Sequence, residues 1–231
     1  MSLLATLRTS LLLAFKSLPL LLISFITFLA FGLGNVSLFI LLIGHIFIVP
    51  LITELLHFVS RNSPNVALLT SNDISQLVPT PLGSVTTPVN VFPSYWMAHI
   101  SFFFGYLLSN AVSMYLQEPD FETIKGASSD AVKNSINAKI ASRKEKALTL
   151  IISTLCFLLL ITLLRMIATG AETFAGVSIA IFVLGLAGGG YHRSAELLGA
   201  TNSDVFGIAM QMMSPDSGAT KPKTCVYTGK P

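Results

Sequence analysis

Glu54 and His57 have the spacing in this chain that most resembles a metal-binding motif. They form a Glu-x-x-His pair, the i, i+3 spacing that helix-bundle di-iron sites use. Such a site also needs a second Glu-x-x-His pair and further carboxylates, and the sequence supplies neither. We therefore expect no metal ion and no cofactor. We predict that Glu54 and His57 are solvated or paired near the end of their hydrophobic segment.

His45 and His99 lie deeper, in two different hydrophobic segments. Imidazole titrates near neutral pH, so the two side chains could line a proton path. A lone histidine in a helix bundle more often makes one interhelical hydrogen bond, which contributes about 0.6–2 kcal/mol. We favour this structural role, and we keep a small channel or transporter that uses intramembrane histidines as the alternative.

Arg165 and Glu172 flank the turn between the last two hydrophobic segments. Charged groups at membrane depth are costly and therefore merit inspection. We expect Arg165 either to extend along the apolar surface toward the interface or to contact Glu172. A transport role would require both side chains to line a cavity.

Gly185 and Gly189 give the last segment a Gly-x-x-x-Gly spacing. Small residues at this spacing allow transmembrane helices to approach closely. We predict that this face packs tightly against another helix, and a homo-oligomer is one way to supply that helix. A nucleotide-binding loop is excluded, because Tyr191 follows the glycines where the motif requires Gly-Lys-Ser/Thr.

Motifs of the common enzyme classes are absent from the chain. No G-x-S-x-G, H-E-x-x-H or C-x-x-C motif occurs, and two cysteines are too few for a disulfide framework. The sequence therefore predicts that the protein is not an enzyme. The basic stretch 133–146 adjoins a hydrophobic segment, so we expect it to meet anionic lipid headgroups. It includes Glu145 and lacks aromatic residues, so we expect no nucleic-acid partner.

A long uncharged run determines the class of protein. No Asp, Glu, Lys or Arg lies between Lys16 and Glu54. A helix of about 20 apolar residues spans a bilayer, so this run is long enough for nearly two crossings. Only 11% of the residues are charged, whereas a soluble domain usually has about 25%. The sequence predicts an all-α, polytopic integral membrane protein with membrane lipids around it.

We predict five transmembrane helices. A four-span alternative remains, in which the first two segments cross only once between them as a re-entrant or interfacial pair. Gly32, Gly34 and Asn35 favour a helical hairpin instead, because they form a tight turn signal. Pro50 should kink the second helix. The five segments are 18–33, 36–59, 95–116, 147–168 and 174–198.

The rest of the chain connects these segments. The prediction divides the chain into an N-terminal segment and hairpin (1–60), a Pro/Ser/Thr-rich extended outer loop (61–93), a third transmembrane helix (94–116), a basic inner amphipathic stem (117–146), the fourth and fifth helices (147–198) and an inner tail (199–231). Lys and Arg resist translocation. Because most of them lie in the stem and the tail, we place those two regions inside and the N-terminus outside.

Tyr95 and Trp96 open the third helix, and such amphipathic aromatic residues are favoured at membrane interfaces. We predict that both anchor the helix at the headgroups. The surrounding sequence FPSYWMAHISFFFGYLLSNA, residues 92–111, resembles a segment of multi-span membrane proteins of large double-stranded DNA viruses, such as the chlorella viruses of algae. The resemblance implies a virion inner-membrane protein beneath an icosahedral capsid, with no known catalytic residues.

We therefore predict a structural membrane protein that anchors or scaffolds a larger assembly. The loop 61–93 and the tail 199–231 are the expected contact surfaces for other membrane or capsid proteins. Within the tail, one apolar face at helical spacing supplies three candidate contact residues: Val205, Ile208 and Met212.

Overall fold

A computed structural model describes residue 10, residues 14–61, 92–116, 130–169 and 172–199, and residue 205. Helix is the regular secondary structure of these ranges, and no strand occurs in them. The predicted loop and tail lie almost entirely outside the described residues. In chain order the helices are α1 (Leu18–Leu33), α2 (Val36–Ile43), a π-helical turn (Gly44–Ile48), α3 (Val49–Arg61), α4 (Tyr95–Leu116), α5 (Asp130–Thr169) and α6 (Phe174–Glu196).

The predicted hairpin turn joins α1 to α2. Gly34 adopts a left-handed conformation with φ of 60°, which glycine tolerates because it has no Cβ. The side chain of Asn35 then accepts a hydrogen bond from the backbone N–H of Ser37 at 2.9 Å and caps α2. Local turn chemistry therefore reverses the chain within two residues, and α1 packs along the helix that follows.

A π-helical turn, Gly44–Ile48, lies directly before the position where a kink at Pro50 was predicted. Proline has no backbone N–H, and its ring would clash with the carbonyl four residues earlier. A wider turn before the proline relieves that conflict while the helix continues into α3. His45 lies within this turn. Turns of this kind are frequent at functional sites because they reorient side chains.

Helix α4 is the centre of the bundle. Trp96, Phe102 and Tyr106 on it have no measurable exposure, and α6 covers it more extensively than any other described helix, with α5 next. The same helix carries His99, Ser101 and Asn110, each at most 3% exposed. These polar residues are tolerated because the helix is surrounded by protein. Its central position thus explains its modest hydrophobicity.

Three stretches of helix are long and apolar enough to cross a membrane: Val36–Ser60, Ile140–Ile167 and Phe174–Glu196. Helix α4 has 22 residues but a more polar composition, and α1 has only 16 residues. Length and composition therefore support three of the five predicted spans. The other two differ for distinct reasons, since α4 is shielded by its neighbours and α1 is short.

The predicted inner stem and fourth span form one uninterrupted helix. Helix α5 has 40 residues, which corresponds to a length of about 60 Å. The hydrocarbon core of a bilayer is only about 30 Å thick. Side chains of its first part, such as Lys144 and Lys146, are exposed. One helix therefore includes the described part of the predicted stem (117–146) and the whole of the predicted fourth span (147–168).

Contacts between helix ends show that the chain passes through the bundle in alternating directions. At one end, the beginning of α4 meets the residues before α1, the second half of α3 and the turn between α5 and α6. At the other end, α6 meets α2 and the second half of α4. The outward surface is strongly apolar and includes Phe28, Phe58, Ile167, Phe182 and Leu186, each more than 60% exposed.

Candidate functional site

A group of polar side chains converges on the first turn of α4. We call Glu54, His57, Ser94, Tyr95, Trp96, Arg165 and Glu172 the polar cluster. Ser94 begins the turn, and its hydroxyl accepts a hydrogen bond from the N–H of Met97 at 3.1 Å. This capping contact satisfies a helix N–H that would otherwise lack a partner. The same hydroxyl donates to the carboxylate of Glu172, so one serine links α4 to the start of α6.

Arg165 and Glu172 form a buried ion pair at the end of α5. The closest nitrogen and oxygen are 3.5 Å apart, and the two side chains are 0% and 2% exposed. The guanidinium carbon of Arg165 also lies 4.8 Å from the centre of the Trp96 ring, a favourable cation–π distance. Of the two predicted roles, the structure has the mutual contact, and Arg165 does not extend to the protein surface.

Glu54 and His57 are both paired, which was one of the two outcomes expected from the sequence, but they have different partners. The hydroxyl of Tyr95 donates to the carboxylate of Glu54. Nε2 of His57 lies 2.8 Å from the backbone oxygen of Pro93 and donates to it. Both contacts fasten α3 to the beginning of α4. The Glu-x-x-His spacing therefore serves helix packing here.

Tyr95 and Trp96 lie inside the protein, at 7% and 0% exposure. The indole N–H of Trp96 donates to the backbone oxygen of Phe15 at 3.0 Å. Their predicted contact with lipid headgroups is untested, and the partners that the structure gives them are protein groups. The Tyr-Trp pattern after proline correctly predicted where α4 begins, but both side chains face the protein interior.

His45 and His99 are brought together in the interior of the bundle. Their Nδ1 atoms are 3.1 Å apart, and the two rings are nearly parallel, with an interplanar angle of 17°. The ring of Phe102 meets His45 edge-on at 5.3 Å between centroids, and Phe103 lies at 6.2 Å. The interhelical hydrogen bond expected for each histidine is thus one bond that both share.

Close glycine packing joins α4 to α6. A Cβ placed on Gly105 would lie 2.2 Å from the backbone oxygen of Gly185, and one on Gly188 would lie 2.2 Å from that of Phe102. Gly185 and Gly189 line the same contact with more room, at 3.8 and 3.7 Å from the nearest backbone oxygen. The predicted tight face is real, and its partner is a helix of the same chain.

Two polar residues of α6 were not predicted from the sequence. The hydroxyl of Tyr191 donates to the backbone oxygen of Ile40 at 2.9 Å. Nδ1 of His192 lies 3.1 Å from the hydroxyl of Ser109, and the ring meets Tyr106 edge-on. Their position directly after the glycine-rich face of α6 could have predicted these contacts. Where two helix backbones approach closely, neighbouring polar side chains come within hydrogen-bonding reach of the other helix.

Of the three predicted tail contacts, Val205 packs against the apolar core that includes Leu41 and Phe102. Ile208 and Met212 lie outside the described residues. Val205 therefore already contacts its own chain, which leaves less of it to offer a partner.

Comparison with known proteins gives no family for this chain. No protein-family model, no curated protein and no solved structure matches it. The resemblance of residues 92–111 to viral membrane proteins therefore remains a prediction.

Proposed function

We propose that the protein is a structural membrane protein that anchors or scaffolds a larger assembly. The observation that carries the proposal is the continuity of α5, which has 40 residues. A helix of this length measures about 60 Å, so about half of it extends beyond the hydrocarbon core, which is about 30 Å thick. A single rigid helix would therefore hold a basic segment in the aqueous phase at a fixed position relative to the bundle in the lipid.

The hydrogen bonds of the polar cluster are consistent with a scaffold function. Ser94, Tyr95 and Trp96 each hydrogen-bond to a different part of the chain: Glu172, Glu54 and the backbone of Phe15. Interhelical hydrogen bonds of this kind hold membrane helices in one arrangement. These hydrogen bonds support a rigid bundle, in which the polar side chains contact other parts of the chain and are not exposed.

We further propose that the chain crosses the membrane five times, with the N-terminus outside. The alternating passage of the helices, the apolar outward surface and the concentration of Lys and Arg in the stem and tail support this topology. Arg143, Lys144, Lys146 and Arg193 would then lie on the inner side, near anionic headgroups. Helix α4 would be shielded from lipid by the surrounding helices.

The proposed contact surfaces for partners are the stem, the loop 61–93 and the tail 199–231. If the viral resemblance holds, the partners are capsid or other virion membrane proteins, and the protein links an inner membrane to the capsid. These regions would make the contacts with partners, because the surface of the bundle itself is apolar and would face lipid.

Site-specific photocrosslinking in the native membrane tests the scaffold. A photoreactive residue at Ser142 or Lys146 on the stem should give adducts with one recurring protein. The matched control is the same residue at Phe157 or Phe182, which are 57% and 68% exposed on the apolar surface and should give lipid adducts. Lipid adducts alone at all four positions would contradict the proposal.

A helix-breaking variant tests the role of rigidity. Ser142→Pro should interrupt α5 in its exposed part, because proline removes a backbone hydrogen bond and clashes with the preceding turn. We expect the crosslinks from a photoreactive residue at Lys146 to be lost while the bundle stays folded, and Ser142→Ala should retain them. Equal crosslinking of both variants would show that continuity of α5 is not required.

A further inference from the structure

Helices α5 and α6 both pack on α4, but they make few contacts with each other. On one side of α4, Ala111 and Met114 pack against Ala147 of α5. On another side, Gly105 approaches α6 so closely that a Cβ on it would lie 2.2 Å from the backbone oxygen of Gly185. The two helices therefore cover different faces of α4, and a strip of α4 lies between them.

The exposure of this strip increases along α4. Four residues spaced by seven, four and seven positions share this face of the helix: Met97, Phe104, Leu108 and Tyr115. The first two are 0% and 8% exposed, the third is partly exposed and the last is 38% exposed. Met114, on the face that α5 covers, is only 5% exposed. The gap between α5 and α6 therefore widens toward the end of α4 that carries Tyr115.

A cationic side chain lies at the wide end of the gap. The ammonium of Lys144 on α5 lies 5.9 Å from the centre of the Tyr115 ring, which is within the range of a cation–π contact. The acidic neighbour Glu145 lies about 160° around α5 from Ala147, the residue that faces α4. Its carboxylate therefore points away from the gap. The wide end of the gap presents positive charge, which suits an anionic group.

The taper of the gap restricts what can fill it. A helix of a partner protein is about 10 Å wide, so it could not follow the strip to Phe104, which is almost covered by the neighbouring helices. A flexible acyl chain can enter a gap that narrows in this way. An acyl chain joined to an anionic headgroup matches both the apolar strip and the charge at its wide end.

We propose that the gap between α5 and α6 binds one anionic phospholipid of the inner leaflet. Its phosphate accepts hydrogen bonds from the ammonium of Lys144 and the hydroxyl of Tyr115, and one acyl chain lies along Leu108 toward Phe104. Basic groups between the ends of transmembrane helices recognise anionic headgroups in this way. The site rests on the proposed topology, which places the inner headgroups at this end of the bundle, and it does not depend on a protein partner.

Lipid titration of the purified full-length protein tests the site. In native mass spectrometry, one phosphatidylglycerol should bind at a lower lipid concentration than phosphatidylcholine does. Lys144→Ala should weaken phosphatidylglycerol binding by about fivefold or more, because one lysine near anionic lipid contributes roughly that factor. The matched control Lys146→Ala removes the same charge from the opposite face of α5 and should retain the binding. Equal affinity for the two lipids, or equal loss in the two variants, would overturn the proposal.

Photolabelling of the native protein decides the matter even if Lys144→Ala fails to fold. An equimolar amount of phosphatidylglycerol with a diazirine in its acyl chain, added in detergent, should label Leu108 more strongly than Phe28, which is 73% exposed on α1. Excess unlabelled phosphatidylglycerol should prevent the labelling, whereas glycerol phosphate, which lacks acyl chains, should not. Stronger labelling of Phe28, or protection by glycerol phosphate, would overturn the proposal.

Both measurements use the isolated protein. Failure of the lipid site would therefore leave the stem crosslinks that test the scaffold unchanged, and loss of those crosslinks would leave lipid binding unchanged. The two proposals can thus fail separately.

Discussion

Gly188 lies against the backbone of Phe102 so closely that a Cβ at position 188 would be 2.2 Å from the Phe102 oxygen. This approach allows α4 and α6 to form the most extensive helix pair of the described bundle. Neither helix can move outward without disturbing Tyr191 and His192, whose hydrogen bonds to α2 and α4 depend on the same spacing.

The glycine contact predicts a large difference between two neighbouring substitutions. Gly188→Ala should lower the free energy of unfolding by about 1–3 kcal/mol or more, because the added methyl group meets rigid backbone. A Cβ placed on Gly190 would have no neighbouring atom within 4 Å, so Gly190→Ala should leave the stability nearly unchanged. Unfolding by SDS titration in mixed micelles measures both. Equal effects would contradict the close packing.

The buried ion pair predicts a second contrast. Removing one partner by Arg165→Met or Glu172→Gln should cost about 3–5 kcal/mol, since a buried charge then loses its counter-ion. Arg193 and Glu196 form a more exposed pair at 2.9 Å, and Arg193→Ala should cost at most about 1 kcal/mol. The same unfolding measurement applies. A cost for Arg165→Met no greater than that for Arg193→Ala would show that the pair is not buried.

The contact between Tyr95 and Glu54 predicts a cost for loss of one hydroxyl. Tyr95→Phe should destabilise the bundle by about 1–3 kcal/mol, because the partly buried Glu54 carboxylate loses a donor. Tyr115→Phe is the control, since Tyr115 is 38% exposed near the end of α4. Thermal denaturation in detergent compares the two. A lower melting temperature for the control than for Tyr95→Phe would be inconsistent with this geometry.

The division of α5 between lipid and water predicts the accessibility of two thiols. Cys156 is exposed on the outer surface of the apolar part of α5. In a Cys225→Ser background, a charged, membrane-impermeant maleimide added to opened vesicles should leave Cys156 unlabelled. With both native cysteines replaced by serine, Ser142→Cys should be labelled readily. Rapid labelling of Cys156 by the charged reagent would place this part of the helix in water.

Several features of the fold follow from local sequence and were predicted. The bounds of α1 and α4 agree with the predicted 18–33 and 95–116, because apolar runs there end at proline or glycine signals. The hairpin turn at Gly34 and Asn35 depends on two residues and their immediate neighbours. The predicted division between stem and fourth span at 146/147 follows the change from basic to apolar composition, and the backbone of α5 continues as a helix across it.

By itself, the sequence determined that the chain forms apolar helices and where several of them begin and end. Hydrophobicity and turn chemistry act over neighbouring residues, so they can be deduced without knowing the fold. Only the tertiary structure decided that His45 faces His99, that Trp96 is enclosed by Arg165 and Phe15, and that Gly188 meets Phe102. Such pairings depend on which helix faces meet, and that is set by the packing of distant segments.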